Sequence, residues 1–132
     1  MRFARTIFFI AGIWGIVVLV PLYFLVDITG KPWPAPLNYP HFFYGFISVA
    51  LSWQIAFLII GSDPARYRFM MIPAILEKLG HVATVGVLYT RGAITVDDAM
   101  PAAPDLLLGI LFVVAFLRTR SAYLDNLAMT PR

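Results

Sequence analysis

From Thr6 to Val26 the chain runs 21 residues without a charge, between Arg5 and Asp27. A helix of that length covers ~30 Å, the thickness of the hydrocarbon layer of a bilayer. Composition carries the point to the rest of the chain: 61% of the 132 residues are hydrophobic and 13% are charged, where a globular domain has about half and a quarter. The apolar residues suffice for about four crossings at ~20 residues each. The expected fold class is therefore all-α, a polytopic membrane protein whose single domain is a four-transmembrane-helix bundle.

Charges and prolines divide the chain into spans. The first, 6–26, has a basic flank like that of a signal peptide, but no small-residue cleavage site follows it, so it reads as a retained helix kinked at Pro21. Residues 31–40 (KPWPAPLNYP) hold four prolines and read as an extended loop, with Trp33 and Tyr39 at the interface. The second span is about 39–61. Asp63 and Pro64 follow it as an N-cap and a first-position proline, so the third helix is expected over about 64–90, closing a tight antiparallel hairpin. Residues 92–98 read as a polar loop. The fourth span is the shortest: 12 uncharged residues separate Asp105 from Arg118, and extension back to Ala99 gives a crossing over 99–118, with Pro101, Pro104 and Asp105 in its first turns. The tail, 119–132, carries Tyr123, Leu124 and Leu127 at spacings suited to an interface.

With four crossings both termini share a side. That side collects Arg2, Arg5, Arg66, Arg68, Arg118, Arg120 and Arg132, seven basic residues against two, Lys31 and Arg91, on the other. The positive-inside rule makes the arginine side cytoplasmic, so the chain is expected to be N-in and C-in. The lack of cysteine excludes disulfide scaffolds, thiol redox chemistry, iron–sulfur clusters and thiolate zinc sites. A net charge of +3, spread over the helix ends, is a topology signal and not a nucleic-acid footprint.

Two charges escape this bookkeeping. Glu77 and Lys78 fall near the middle of the third span, with His81 one turn on, all within about 4 Å of the midplane. On insertion scales an ionised residue there costs about 2.5–3.5 kcal/mol, and such residues usually face the protein interior. Glu77, His81 and Thr84 follow the spacing i, i+4, i+7 and share a face on which Glu77 can accept from His81. Lys78 points ~100° away, so a direct Glu77–Lys78 bridge is poor and Lys78 is expected to seek another helix or subunit. On the second helix Gly45, Ser48, Ser52 and Ala56 make a small-residue stripe. Its ordinary use is close helix packing, and it brings Ser48 and Ser52 to the depth of Glu77 and His81. Trp14 and Gln54 can complete the layer, whereas the fourth helix, offering only Gly109, reads as a wall. Trp33, Tyr39, Phe42, Phe43, Tyr44 and Tyr89 read as interfacial belt residues, as does His41.

The expected binding set is thus Glu77, Lys78, His81, Ser48, Ser52, Thr84 and Trp14, a polar spot in an apolar bundle suited to a lipophilic molecule with one polar end, such as a quinone or isoprenoid. Structural clamping between helices is the competing reading. Haem is a variant: His41 and His81 differ by ~10 Å or more in depth, so bis-histidine ligation requires a homodimer pairing His81 with its copy. An enzyme using Glu77 and His81 as an acid/base pair is a further alternative, weakened by the lack of any nucleophile or HExxH-type metal motif. A proton relay or transporter has few polar residues to line a path. An accessory subunit of a larger membrane complex fits the exposed small-residue faces and the charged spot equally well.

The four-span layout with its basic turn, together with the string DPARYRFMMIPAILEK (Asp63 to Lys78), resembles the small bacterial membrane proteins grouped as DoxX-like and BphX-like. That resemblance covers most of the chain in topology and the one hairpin in residues. It implies a bacterial inner-membrane location and an accessory role beside quinone-linked oxidoreductases, and it transfers no catalytic residue.

Overall fold

The computed structural model describes residues 1–29 and 40–129, and all regular structure among them is helical. Four stretches are long and apolar enough to cross a membrane: Arg2–Phe24, His41–Ser62, Arg68–Thr90 and Val96–Arg118. The proline-rich loop with Trp33 and Tyr39, and the last residues of the tail, lie outside the described residues.

Helix α1 covers Arg2–Thr29 and continues through Pro21. Helix α2 covers Pro40–Ser62. The third helix departs from expectation at its start. Asp63 does accept from the Arg66 backbone N–H at 3.2 Å, but the segment it opens is a single turn followed by a 3₁₀ turn, Arg68–Met70, and α3 proper is Met71–Thr90. Pro73 explains the delay. A proline is tolerated where its missing N–H has no intrahelical partner to lose, so the α-helix starts two residues before it. Gly92 ends α3 at φ 68°, with the Ala93 N–H bonded to the Leu88 carbonyl at 3.0 Å and the Gly92 N–H to the Tyr89 carbonyl at 2.9 Å. This is the paired hydrogen-bond closure that a left-handed glycine permits.

The fourth span also starts elsewhere than expected. Within the predicted 92–98 loop, Thr95 and Asp98 form a reciprocal capping box that opens α4, Val96–Ala99. A 3₁₀ turn over Met100–Ala102 takes up Pro101, and α5 runs Ala103–Arg118 with Pro104 in its first turn. The tail adds a short helix, α6, Arg120–Met129.

The helices are antiparallel neighbours with their arginine-bearing ends together. An Arg5 Nη donates to the Ser62 carbonyl at 3.0 Å, the Arg118 guanidinium lies 4.9 Å above the Phe3 ring, and Thr119 Oγ1 is 3.9 Å from Met71 Sδ. Near this end lies the core: Ala4, Phe8 and Ala11 from α1, Phe57 and Ile60 from α2, Met71 and Ala74 from α3, Phe112 and Ala115 from α5. Phe8 stacks on Phe112 with centroids 4.2 Å apart, and Phe57 meets Phe112 edge-on at 5.0 Å. Each such aromatic contact is worth about 0.5–1.5 kcal/mol beyond the area it buries. Away from that end the packing thins. The last buried residue of α3 is Lys78, and the following turns expose Ala83, Thr84, Val87 and Leu88.

Helices α1 and α2 approach closely, but through different residues than the expected stripe. A Cβ on Gly12 would lie 2.9 Å from the Gln54 carbonyl, a Cβ on Gly15 would overlap the Gln54 side chain, and one on Gly61 would lie 3.3 Å from the Phe9 nitrogen. Gly45 by contrast faces open space. On α1, Ala4, Phe8, Ala11 and Gly15 share one face at helical spacing, and the small residues there let the backbones meet.

Candidate functional site

The mid-span ionisable groups come together between α3 and α5. Gly109 sets their distance. A Cβ at that position would lie 2.7 Å from Leu79 Cδ2 and 3.5 Å from Lys78 Cβ, so the two helices touch where α5 has no side chain. Asp105 lies one turn before Gly109 on the same face of α5 and is thereby brought to α3.

The Asp105 carboxylate bridges two residues of α3. Its Oδ1 is 2.9 Å from Lys78 Nζ and its Oδ2 is 2.7 Å from His81 Nδ1. Lys78 Nζ also lies 3.4 Å from Glu77 Oε1, a hydrogen bond, and 3.3 Å from Oε2. The buried Oε2 is off the line a hydrogen bond needs and has no hydrogen-bond partner among the described residues. From α2, the Phe57 ring centroid lies 5.4 Å from the ammonium, a cation–π contact that helps to offset its desolvation. Exposure grades outward across the cluster: the Lys78 side chain is 8% exposed, those of Glu77 and Asp105 21%, and that of His81 41%.

Three expectations are corrected here. The fourth helix is more than a wall, because it supplies the acid that pairs with Lys78. With the span beginning at Val96, its centre falls at Leu107, which places Asp105 about 3 Å from the middle and not in an outer turn. His81 bonds to Asp105 and not to Glu77. Lys78 does reach Glu77, since a flexible four-carbon stem spans the angle between adjacent Cβ directions.

The remaining predicted members lie apart from these four groups. Ser48 Oγ meets Tyr23 Oη at 2.5 Å across the α1–α2 contact, and Ser52 Oγ donates to the Ser48 carbonyl at 3.0 Å. Thr84 Oγ1 donates to the Gly80 carbonyl at 2.9 Å. Trp14 is exposed on α1. Gln54 is buried against α1, donating to the Ala50 carbonyl at 2.9 Å. His41 opens α2 and is exposed.

What the cluster can do follows from its charges. Two carboxylates and one ammonium leave one negative charge with a neutral imidazole, and a single added proton neutralises the set. With Nδ1 committed to Asp105, Nε2 is the ring nitrogen without a hydrogen-bond partner among the described residues, and His81 is the most exposed member of the cluster. Nε2 then accepts a hydrogen bond when the ring is neutral and donates one when it is charged. No group of three or more metal-ligating side chains occurs among the described residues.

Comparison with protein-family models, with curated proteins and with solved structures finds no match to this chain.

Proposed function

We propose that this chain is a non-catalytic, multi-pass protein of a bacterial inner membrane, with both termini cytoplasmic, that binds the polar head of a quinone-like lipophile at the His81–Asp105 pair. The observation that carries the reading is the 2.7 Å contact between His81 Nδ1 and Asp105 Oδ2. A carboxylate holding one ring nitrogen fixes the orientation of the imidazole and leaves the other for a lipid-soluble head group. Nε2 accepts from the hydroxyl of a quinol or, once protonated, donates to the carbonyl of a quinone. The apolar flanks of α3 and α5 supply the wall for a tail. The acid–base pairing that the helices offer is His81 with Asp105, so an enzyme built on Glu77 and His81 lacks its central contact. The likeness of Asp63–Lys78 to the DoxX-like hairpin supports an accessory role beside a membrane oxidoreductase, to which such a site would hold or deliver the lipophile.

The test is the absorption spectrum and organic extract of protein purified in mild detergent. Wild-type protein is expected to carry an extractable quinone that His81→Phe loses while remaining folded. A Soret band in place of the quinone points to haem held by a His81 pair, and an extract unchanged by His81→Phe removes the site from consideration.

A further inference from the structure

At the arginine-bearing end of the bundle, far from the His81–Asp105 pair, one cation is enclosed without a counter-ion. Arg68, in the 3₁₀ turn that leads into α3, is only 8% exposed. Its guanidinium carbon lies 3.7 Å above the Phe116 ring of α5, 5.9 Å from Tyr123 of α6 and 6.0 Å from Phe69, and the Phe69 and Tyr123 rings meet edge-on at 5.3 Å. Three aromatic rings thus hold the group in place. None of its nitrogens makes a hydrogen bond or ion pair among the described residues, the buried Nε included.

A buried guanidinium is normally paired, because its desolvation is costly and its planar fork is built for a carboxylate or phosphate. Cation–π contacts recover part of that cost and leave the donors unused. The surroundings reinforce the demand for an anion. Arg66 and Arg118 lie close by in sequence or on the adjoining helix end, and among the described residues neither forms an ion pair with an acid. Of the Arg68 nitrogens only Nε is both fully buried and unpartnered, which leaves the two terminal nitrogens for a ligand at this end of the spans, where the head groups of a bilayer would lie.

We infer that Arg68, held in its cage of Phe69, Phe116 and Tyr123, is a binding site for the phosphodiester of an anionic phospholipid. The rings fix the fork, the phosphate oxygens take its free N–H groups, and the neighbouring arginines favour a net-negative head group over a zwitterionic one. The site does not depend on what binds at His81.

The experiment follows thermal unfolding of the full chain in a neutral detergent while short-chain phosphatidylglycerol, phosphatidylcholine or inorganic phosphate is added. Phosphatidylglycerol is expected to raise the midpoint saturably and the other two to leave it unchanged. Arg68→Gln should abolish the response, and Arg120→Gln should keep it. If Arg68→Gln does not fold, Arg68→Lys retains the charge but not the fork, and the half-saturating lipid concentration should rise about tenfold, the value of one charge-assisted hydrogen bond. An equal response to phosphatidylcholine or to inorganic phosphate overturns the inference. So does an unaltered response in Arg68→Lys, or a loss in Arg120→Gln as large as that in Arg68→Gln, which would mark diffuse attraction to the arginine-rich end.

Discussion

The α1–α2 contact and the α3–α5 contact solve the same problem with opposite chemistry. In the first, glycines at 12 and 15 let two backbones meet around a buried Gln54 whose amide is satisfied within its own helix. In the second, a single glycine at 109 brings the helices together, and a lysine, two acids and a histidine lock them. Packing of small residues tolerates modest change, because its energy is spread over many weak contacts. A lock of charges concentrates its energy in a few atoms and fails abruptly when one is removed.

That contrast can be broken most sharply at Asp105. Asp105→Leu leaves the Lys78 ammonium with Glu77 alone and strands His81, and the expected loss is about 3–5 kcal/mol in detergent unfolding followed by tryptophan fluorescence. The same measurement with Glu77→Gln and Lys78→Met added to Asp105→Leu should recover most of that loss, since removing all three ionised groups leaves no uncompensated charge; a triple variant as weak as the single one would mean that the cluster is not coupled. Next in size is Gly12→Leu. Its side chain would press on the Gln54 carbonyl and Leu58, with an expected cost of about 1–3 kcal/mol by the same assay. The smallest effect is expected from Gly45→Ala, where a methyl group enters open space: a change within about 0.5 kcal/mol, or a slight gain from the better helix former. A large loss there would restore the small-residue stripe of α2 as the true contact.

Much of the fold was legible because charge is expensive in an apolar chain. The gaps between charged residues located four helices, but in place of the tight hairpin expected after Ser62 the chain makes a turn and a 3₁₀ turn before α3 begins. Two errors arose from reading too little into local chemistry. The Thr95-x-x-Asp98 pattern is a helix-start signal, and counting the fourth span from it would have moved Asp105 to mid-span. The buried lysine itself demanded an acid on another helix. Asp105 fits that demand once its depth is known. The glycines of α1 were less legible: Gly12 and Gly15 stand among valines and isoleucines that look alike from every side, and only the position of α2 decides which face they serve. Arg68 was counted as a topology signal, correctly as to its end of the bundle, but its enclosure by Phe116 and Tyr123 depends on where α5 ends and α6 turns, which no periodicity in the sequence announces.

Phe112 in the aromatic cluster and Asp105 in the ionic one both belong to the fourth span, which is synthesised after the three whose side chains they meet. Until it emerges, Phe8 and Phe57 lack the Phe112 ring that both of them meet, and Lys78 has Glu77 and the Phe57 ring but not Asp105. The order of synthesis therefore holds back both the oily and the charged closure until the fourth span arrives. A chain stalled before Asp105 presents an ammonium in mid-helix without its shortest ion pair, the kind of mark by which membrane quality control could tell an unassembled bundle from an assembled one.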